Sequence, residues 1–173
     1  MTYRITAAAT ALAALPLAAS AEAPDIKSPA PLIHLADNLD EKDRLGWCID
    51  TRGRGFSEQL HAHSCKPRGG DTQFSFDAAS GQIRAVAFDG KCMTLNAAGS
   101  EVAFGLFDCA ETNTAQVFAH DAAAQEIRPA GDSRKCVTAG DSSASAGPYM
   151  SRSLILADCA AAAPALKQWL VVR

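Results

Sequence analysis

Cys48, Cys92 and Cys136 stand 44 residues apart, and the same interval separates Cys65 from Cys109, Phe74 from Phe118, and the pair Ile83-Arg84 from Ile127-Arg128. A fixed period of this length without a helical pattern restricts the chain to an array of like units built from short strands, none able to bury its apolar face alone. Three copies are present. The third holds a six-residue insertion between its cysteines, after which Cys159 and Trp169 take the places of Cys65 and Phe74.

Four short strands are predicted in each copy. An entry strand (32–36, 83–88, 126–130) is followed by one carrying the first cysteine (46–50, 91–95, 135–139), a third ending at the second cysteine, and a fourth around Phe74, Phe118 or Trp169. Turn residues such as Gly69-Gly70, Gly81, Asp89-Gly90 and Gly147 punctuate them. The third strands alternate: Phe104 and Leu106 share one face and Gly105 and Phe107 the other, with Leu60/Ala62 and Leu154/Leu156 in the equivalent places. Twelve such strands in three equivalent sets are too many for one open sheet of this size. Closure with threefold pseudosymmetry removes the exposed edges, so the expected fold is all-β, a β-trefoil. The alanines of 122–125 allow one helical turn.

Arg4 precedes an apolar run over 5–17, and Ala19-Ser20-Ala21 then offers a small-x-small cleavage pattern. Residues 1–21 therefore read as a secretory signal peptide, too short in its apolar part to span a bilayer. Residues 22–31, with Pro24, Pro29 and Pro31, read as an extended tether. Residues 32–173 form one domain with repeats at about 32–80, 81–124 and 125–173. Six cysteines at equivalent positions behind an export signal imply a disulfide within each repeat: Cys48–Cys65, Cys92–Cys109 and Cys136–Cys159. Each closes a loop of about 15 to 25 residues and adds roughly 3 kcal/mol at most. Zinc motifs bring cysteines together as C-x2-C pairs, which this chain lacks. A formal net charge of -3 without a Lys/Arg block argues against nucleic acid and anionic membranes as partners, and no later segment is apolar enough to span a membrane. An exported protein, secreted or periplasmic, is expected.

The repeats carry more than their spacing. The first reads Cys48-Ile49-Asp50, Leu60-His61-Ala62-His63-Ser64-Cys65 and Thr72-Gln73-Phe74; the second Cys92-Met93-Thr94, Phe104-Gly105-Leu106-Phe107-Asp108-Cys109 and Gln116-Val117-Phe118; the third Cys136-Val137-Thr138, Leu154-Ile155-Leu156-Ala157-Asp158-Cys159 and Lys167-Gln168-Trp169. This pattern resembles the ricin-type β-trefoil lectins, whose repeats read Cys-x-Asp, then a strand ending near the second cysteine, then Gln-x-Trp. The resemblance covers 32–173. The Gln-x-Trp element is eroded, keeping its Gln only in the second repeat and its Trp only in the third, but Phe fills the role of core plug at small cost in volume.

The resemblance also implies where a sugar would bind. A pyranose needs a carboxylate or amide fork for two hydroxyls and an aromatic plate for its C–H face. Mapped from the lectins, these are Asp50, His63 and Asp71 in the first repeat, with His61 on the same strand face. Asp71 in place of Asn keeps acceptors but sets a second carboxylate near Asp50, which repels it unless a ligand or cation lies between. The competing reading of Asp50 is a turn residue bonded to its own backbone. In the second repeat Phe107 is a plate without a fork, since Thr94 and Ala115 replace the acid and the amide; Thr138, Ala157 and Leu166 silence the third.

The expected function is carbohydrate binding, of a galactose-type sugar or glycan, with at most one competent site. The alternative is a sugar-silent trefoil serving as a protein-interaction or toxin-accessory subunit. No nucleophile paired with a base occurs in a recognised motif, so no enzyme activity and no cofactor are expected. His61 and His63 with Asp50 or Asp71 make a conceivable zinc or copper set, but His pairs on strands are more often simply solvated, and no metal is expected. If His63 stacks on the sugar, its protonation makes binding decline from about pH 8 to about pH 5.

Overall fold

The structure is a computed structural model that describes residues 22–39 and 41–173; the expected leader at 1–21 lies outside the described residues. Twelve strands follow the predicted order: β1 (Leu32–Leu35), β2 (Trp47–Thr51), β3 (Leu60–Ser64), β4 (Phe74–Asp77), β5 (Gln82–Ala85), β6 (Lys91–Leu95), β7 (Phe104–Asp108), β8 (Phe118–Asp121), β9 (Glu126–Pro129), β10 (Lys135–Ala146), β11 (Tyr149–Asp158) and β12 (Trp169–Val172). Each repeat contributes one hairpin, β2–β3, β6–β7 or β10–β11, and all pairings are antiparallel. The remaining strands pair as β1–β12, β4–β5 and β8–β9, and the first of these joins the two ends of the chain. This is a β-trefoil.

Its core is layered by repeat. Ile49, Met93 and Val137, each following the first cysteine of its repeat, are fully buried, and so are Leu60, Phe104 and Leu154 at the starts of the equivalent runs. The plugs Phe74, Phe118 and Trp169 complete the same cluster. Full burial of such side chains contributes about 1.5–3 kcal/mol each, so the period in the sequence is a period of core positions. All three expected disulfides are formed, each tying the hairpin's first strand to the residue after its second.

Two departures bear on the site. The six-residue insertion lengthens β10 and β11 to 12 and 10 residues, with a register shift between Ala139 and Ser143 and a turn at Gly147-Pro148. β11 then pairs with β3, Ser151 opposite His63 and Ser153 opposite His61, so the third repeat extends the sheet of the first. The segment 22–31 is extended but lies against the domain: Ile26 packs on Leu32 and the Cys48–Cys65 bridge, and Ser28 donates to the Lys66 carbonyl. The helical turn expected over 122–125 is instead the tight turn between β8 and β9. Asp121 Oδ1 accepts from the amides of Ala123 and Ala124, and Gln125 takes a φ of 59°. Four alanine-rich residues are too few to nucleate a helix against such a turn. The helical turns lie just ahead of two plugs, at Thr114–Gln116 and Pro164–Lys167.

Candidate functional site

Asp50 on β2 stands directly opposite His61 on β3, and His63 follows two residues on. Strand alternation therefore puts all three side chains on one face. Asp71 arrives from the turn after β3, where Gly69 and Gly70 take φ values of 66° and 81° that suit glycine. The four residues expected to form the first-repeat site do converge, but around a side chain that the motif comparison passed over. Lys66 Nζ lies 2.8 Å from Asp50 Oδ2 and 2.6 Å from Asp71 Oδ1. The cation required between the two carboxylates is the protein's own.

Asp50 is fully buried, on a strand and not in a turn, and neither of its carboxylate oxygens has an aligned hydrogen bond. Its partner is the Lys66 ammonium, at hydrogen-bonding distance and carrying the opposite charge. His63 Nδ1 lies 3.4 Å from Asp50 Oδ2 and 3.0 Å from the Ser64 carbonyl, while His61 Nε2 is 4.0 Å from Asp50 Oδ2 and also lacks a hydrogen bond. Neither imidazole is solvated: side-chain exposure is 12% for His61 and 7% for His63. Burial pushes the Asp50 carboxyl up to about 6, with Lys66 opposing and Asp71 adding to the rise. Burial, then repulsion from His63, Lys66 and Arg52, brings His61 down to about 4. His63 is lowered as well, burial outweighing the pull of the Ser64 carbonyl. For Lys66, burial alone would lower the ammonium, but the two carboxylates together raise it. The fall in sugar binding expected from His63 protonation thus moves to lower pH than an exposed imidazole would give.

The hairpin tip of the third repeat covers this cluster. Tyr149 meets the His63 ring edge-on at 5.6 Å, and between them and Lys66 opens a cavity of about 430 Å³ with Arg54 also in its wall. A second cavity of about 480 Å³ on the far side of His61 is lined by Arg52, Glu101 and several serines of the hairpin.

In the other repeats the residues in the place of the acid are held by different partners. Thr94, in the place of the acid, accepts from the buried Gln116 amide at 3.0 Å, and Thr138 donates to the Cys136 carbonyl. Gln116 also binds the Asp108 carbonyl and the Ala110 amide, and in the third repeat Lys167 takes over by donating to the Cys159 carbonyl. These groups brace the loop after the second cysteine and offer no fork. Phe107, the plate expected in the second repeat, is exposed and stands opposite Cys92, while the residue in the acid's place, Thr94, faces Gly105. Lys66 had a signal in the sequence: the residue after the second cysteine is Lys only where the acid is kept, and Ala110 and Ala160 elsewhere.

Another buried histidine, His34 on β1, lies outside this cluster; burial lowers its pKa against the bond to the Leu35 carbonyl. A folded pKa below the unfolded one costs stability as pH falls below about 6.5, whereas the raised Asp50 adds stability as pH falls through about 6. His34→Gln should therefore make the acid limb shallower, by up to about 1.4 kcal/mol per pH unit, in urea midpoints measured across pH. An unchanged slope would exclude His34 as a contributor.

The family model for the ricin-type beta-trefoil lectin domain matches residues 39–170. No curated protein matches the chain. Among solved structures, the crystal structure of cytolethal distending toxin (CDT) from Actinobacillus actinomycetemcomitans aligns with a TM-score of 0.54 at 16% identity, over 82% of this chain and 90% of that one, a likeness of fold alone. The threefold repeat, the three repeat-internal disulfides and the family match over most of its length agree: the chain belongs to the ricin-type β-trefoil lectin domain family.

Proposed function

We propose that this protein is an exported carbohydrate-binding protein with one sugar site, in the first repeat, roofed by the hairpin of the third. The observation that carries this reading is the cavity bounded by His63, Lys66, Arg54 and Tyr149. Tyr149 and His63 supply ring faces for the C–H side of a pyranose, and the Lys66 ammonium and Arg54 guanidinium donate to its hydroxyl oxygens. Asp71 accepts beside them, while Asp50 acts from behind, holding Lys66 in place. A galactose-type sugar is the ligand class that the family supplies. Such a site gives affinities of about millimolar, so useful binding depends on multivalent display.

The test is a glycan array with the oxidised mature protein presented multivalently. Wild type should give a defined glycan signal, and Tyr149→Ala, at the hairpin tip and away from the core, should lose it about tenfold. A folded protein silent on every glycan would overturn the reading. One observation favours a second reading, a sugar-silent trefoil that binds a protein partner: the fork of Asp50 and Asp71 is already filled by Lys66. On that view Tyr149→Ala changes no glycan signal because there is none.

A further inference from the structure

Among the described residues, six buried side-chain polar atoms lack a hydrogen-bond partner, and three of them are Asp50 Oδ1, Asp50 Oδ2 and His61 Nε2. Asp50 Oδ2 has the Lys66 ammonium at 2.8 Å, which leaves Asp50 Oδ1 and His61 Nε2 without a partner in one cluster. Folded proteins leave few such atoms, and two side by side call for a ligand. We propose that Asp50, His61 and His63 form a binding site for a zinc-type divalent transition-metal ion, with the fourth coordination position open towards the cavity beneath Tyr149. The candidate ligand atoms of the three residues all lie within 4.8 Å of one another. Ligands at about 2.0–2.2 Å around a tetrahedral ion sit roughly 3.3 Å apart. The His63 Nδ1 to Asp50 Oδ2 distance is already 3.4 Å, and His61 Nε2 at 4.0 Å closes with a small ring rotation.

Two imidazoles and one carboxylate suit zinc and exclude calcium or magnesium, which take oxygen ligands. The scaffold is rigid: two of the ligands are held on β3 and the third faces them across the β2–β3 ladder. Ligation by His63 Nδ1 places its ring proton on Nε2 and exchanges the Ser64 carbonyl for the ion. The group in competition is the Lys66 ammonium. It keeps Asp71, 2.6 Å away, when Asp50 turns to the metal. Lys66 and the ion are thus alternative counter-charges for one buried carboxylate.

The ion site shares His63 with the sugar cavity but is tested separately from it, because Tyr149→Ala removes a wall of that cavity and leaves every ion ligand in place. The experiment is chelator dialysis of the full mature chain, then titration with zinc by calorimetry and with Co(II) by visible absorption. Expected are one ion per chain, the strong visible bands of tetrahedral Co(II), and at least about tenfold weaker binding in His61→Gln and in His63→Gln. Lys66→Met should bind about tenfold more tightly and gain more in melting temperature from zinc than wild type, since the competing charge is gone. A purely structural His pair predicts no change in metal affinity at residue 66. Sub-stoichiometric binding at about 100 μM ion in both wild type and Lys66→Met would overturn the proposal, as would binding unaltered by both histidine substitutions.

Discussion

Lys66→Met is expected to destabilise the domain by about 3–5 kcal/mol at pH 8, the range found when one partner of a buried ion pair is removed. The loss is asymmetric. Asp50 is fully buried and reaches no water, whereas the Lys66 side chain is 18% exposed and retains Asp71. Asp50→Asn should therefore cost less than Lys66→Met, and the double variant less than the lysine change alone, because it leaves no uncompensated charge. The sign of the pH dependence follows. Without Lys66 the Asp50 carboxyl rises further above the unfolded value, so the cost of its charge is present above the folded pKa and shrinks as pH falls and the group takes up a proton. Urea midpoints of the four species at about pH 8 and pH 5 measure this. A Lys66→Met cost below about 1 kcal/mol at pH 8 would mean that the pair is only a surface contact.

The features that lay open in the sequence are those that recur. The 44-residue period, the cysteine pairs and the apolar positions at Ile49, Met93 and Val137 are dictated three times over, so they could be read without knowing how the chain closes. The site was legible only in part, because its organisation breaks the symmetry. Asp50, His61, His63 and Asp71 came together, but their environment depends on Lys66, a residue with no counterpart in the other repeats. It also depends on the docking of β11 along β3. The six-residue insertion could be counted in the sequence; that it lengthens the β10–β11 hairpin, and where that hairpin docks, are consequences of tertiary pairing, which local pattern does not encode. The helical turn at 122–125 failed for a related reason: a composition that favours helix was overridden by one carboxylate capping a tight turn.

Trp169→Ala should be of similar size, about 3–5 kcal/mol, for a different reason. The indole is fully buried in the common core, and its N–H donates to the Val137 carbonyl at 2.9 Å. Trp169 also begins β12, opposite Leu35 on β1, where the last strand closes on the first. Truncation removes the plug at that seam and leaves a buried carbonyl unpaired, two losses that compound. Trp169→Phe separates them. Phe is what the first two repeats use at this place, so the core should tolerate it, and the residual cost of about 1–2 kcal/mol reports the Val137 bond and the smaller ring. Chemical denaturation of the oxidised protein distinguishes the two substitutions. If Trp169→Ala cost no more than Trp169→Phe, the ring would not be a core plug, and the equivalence of Phe74, Phe118 and Trp169 would fail with it.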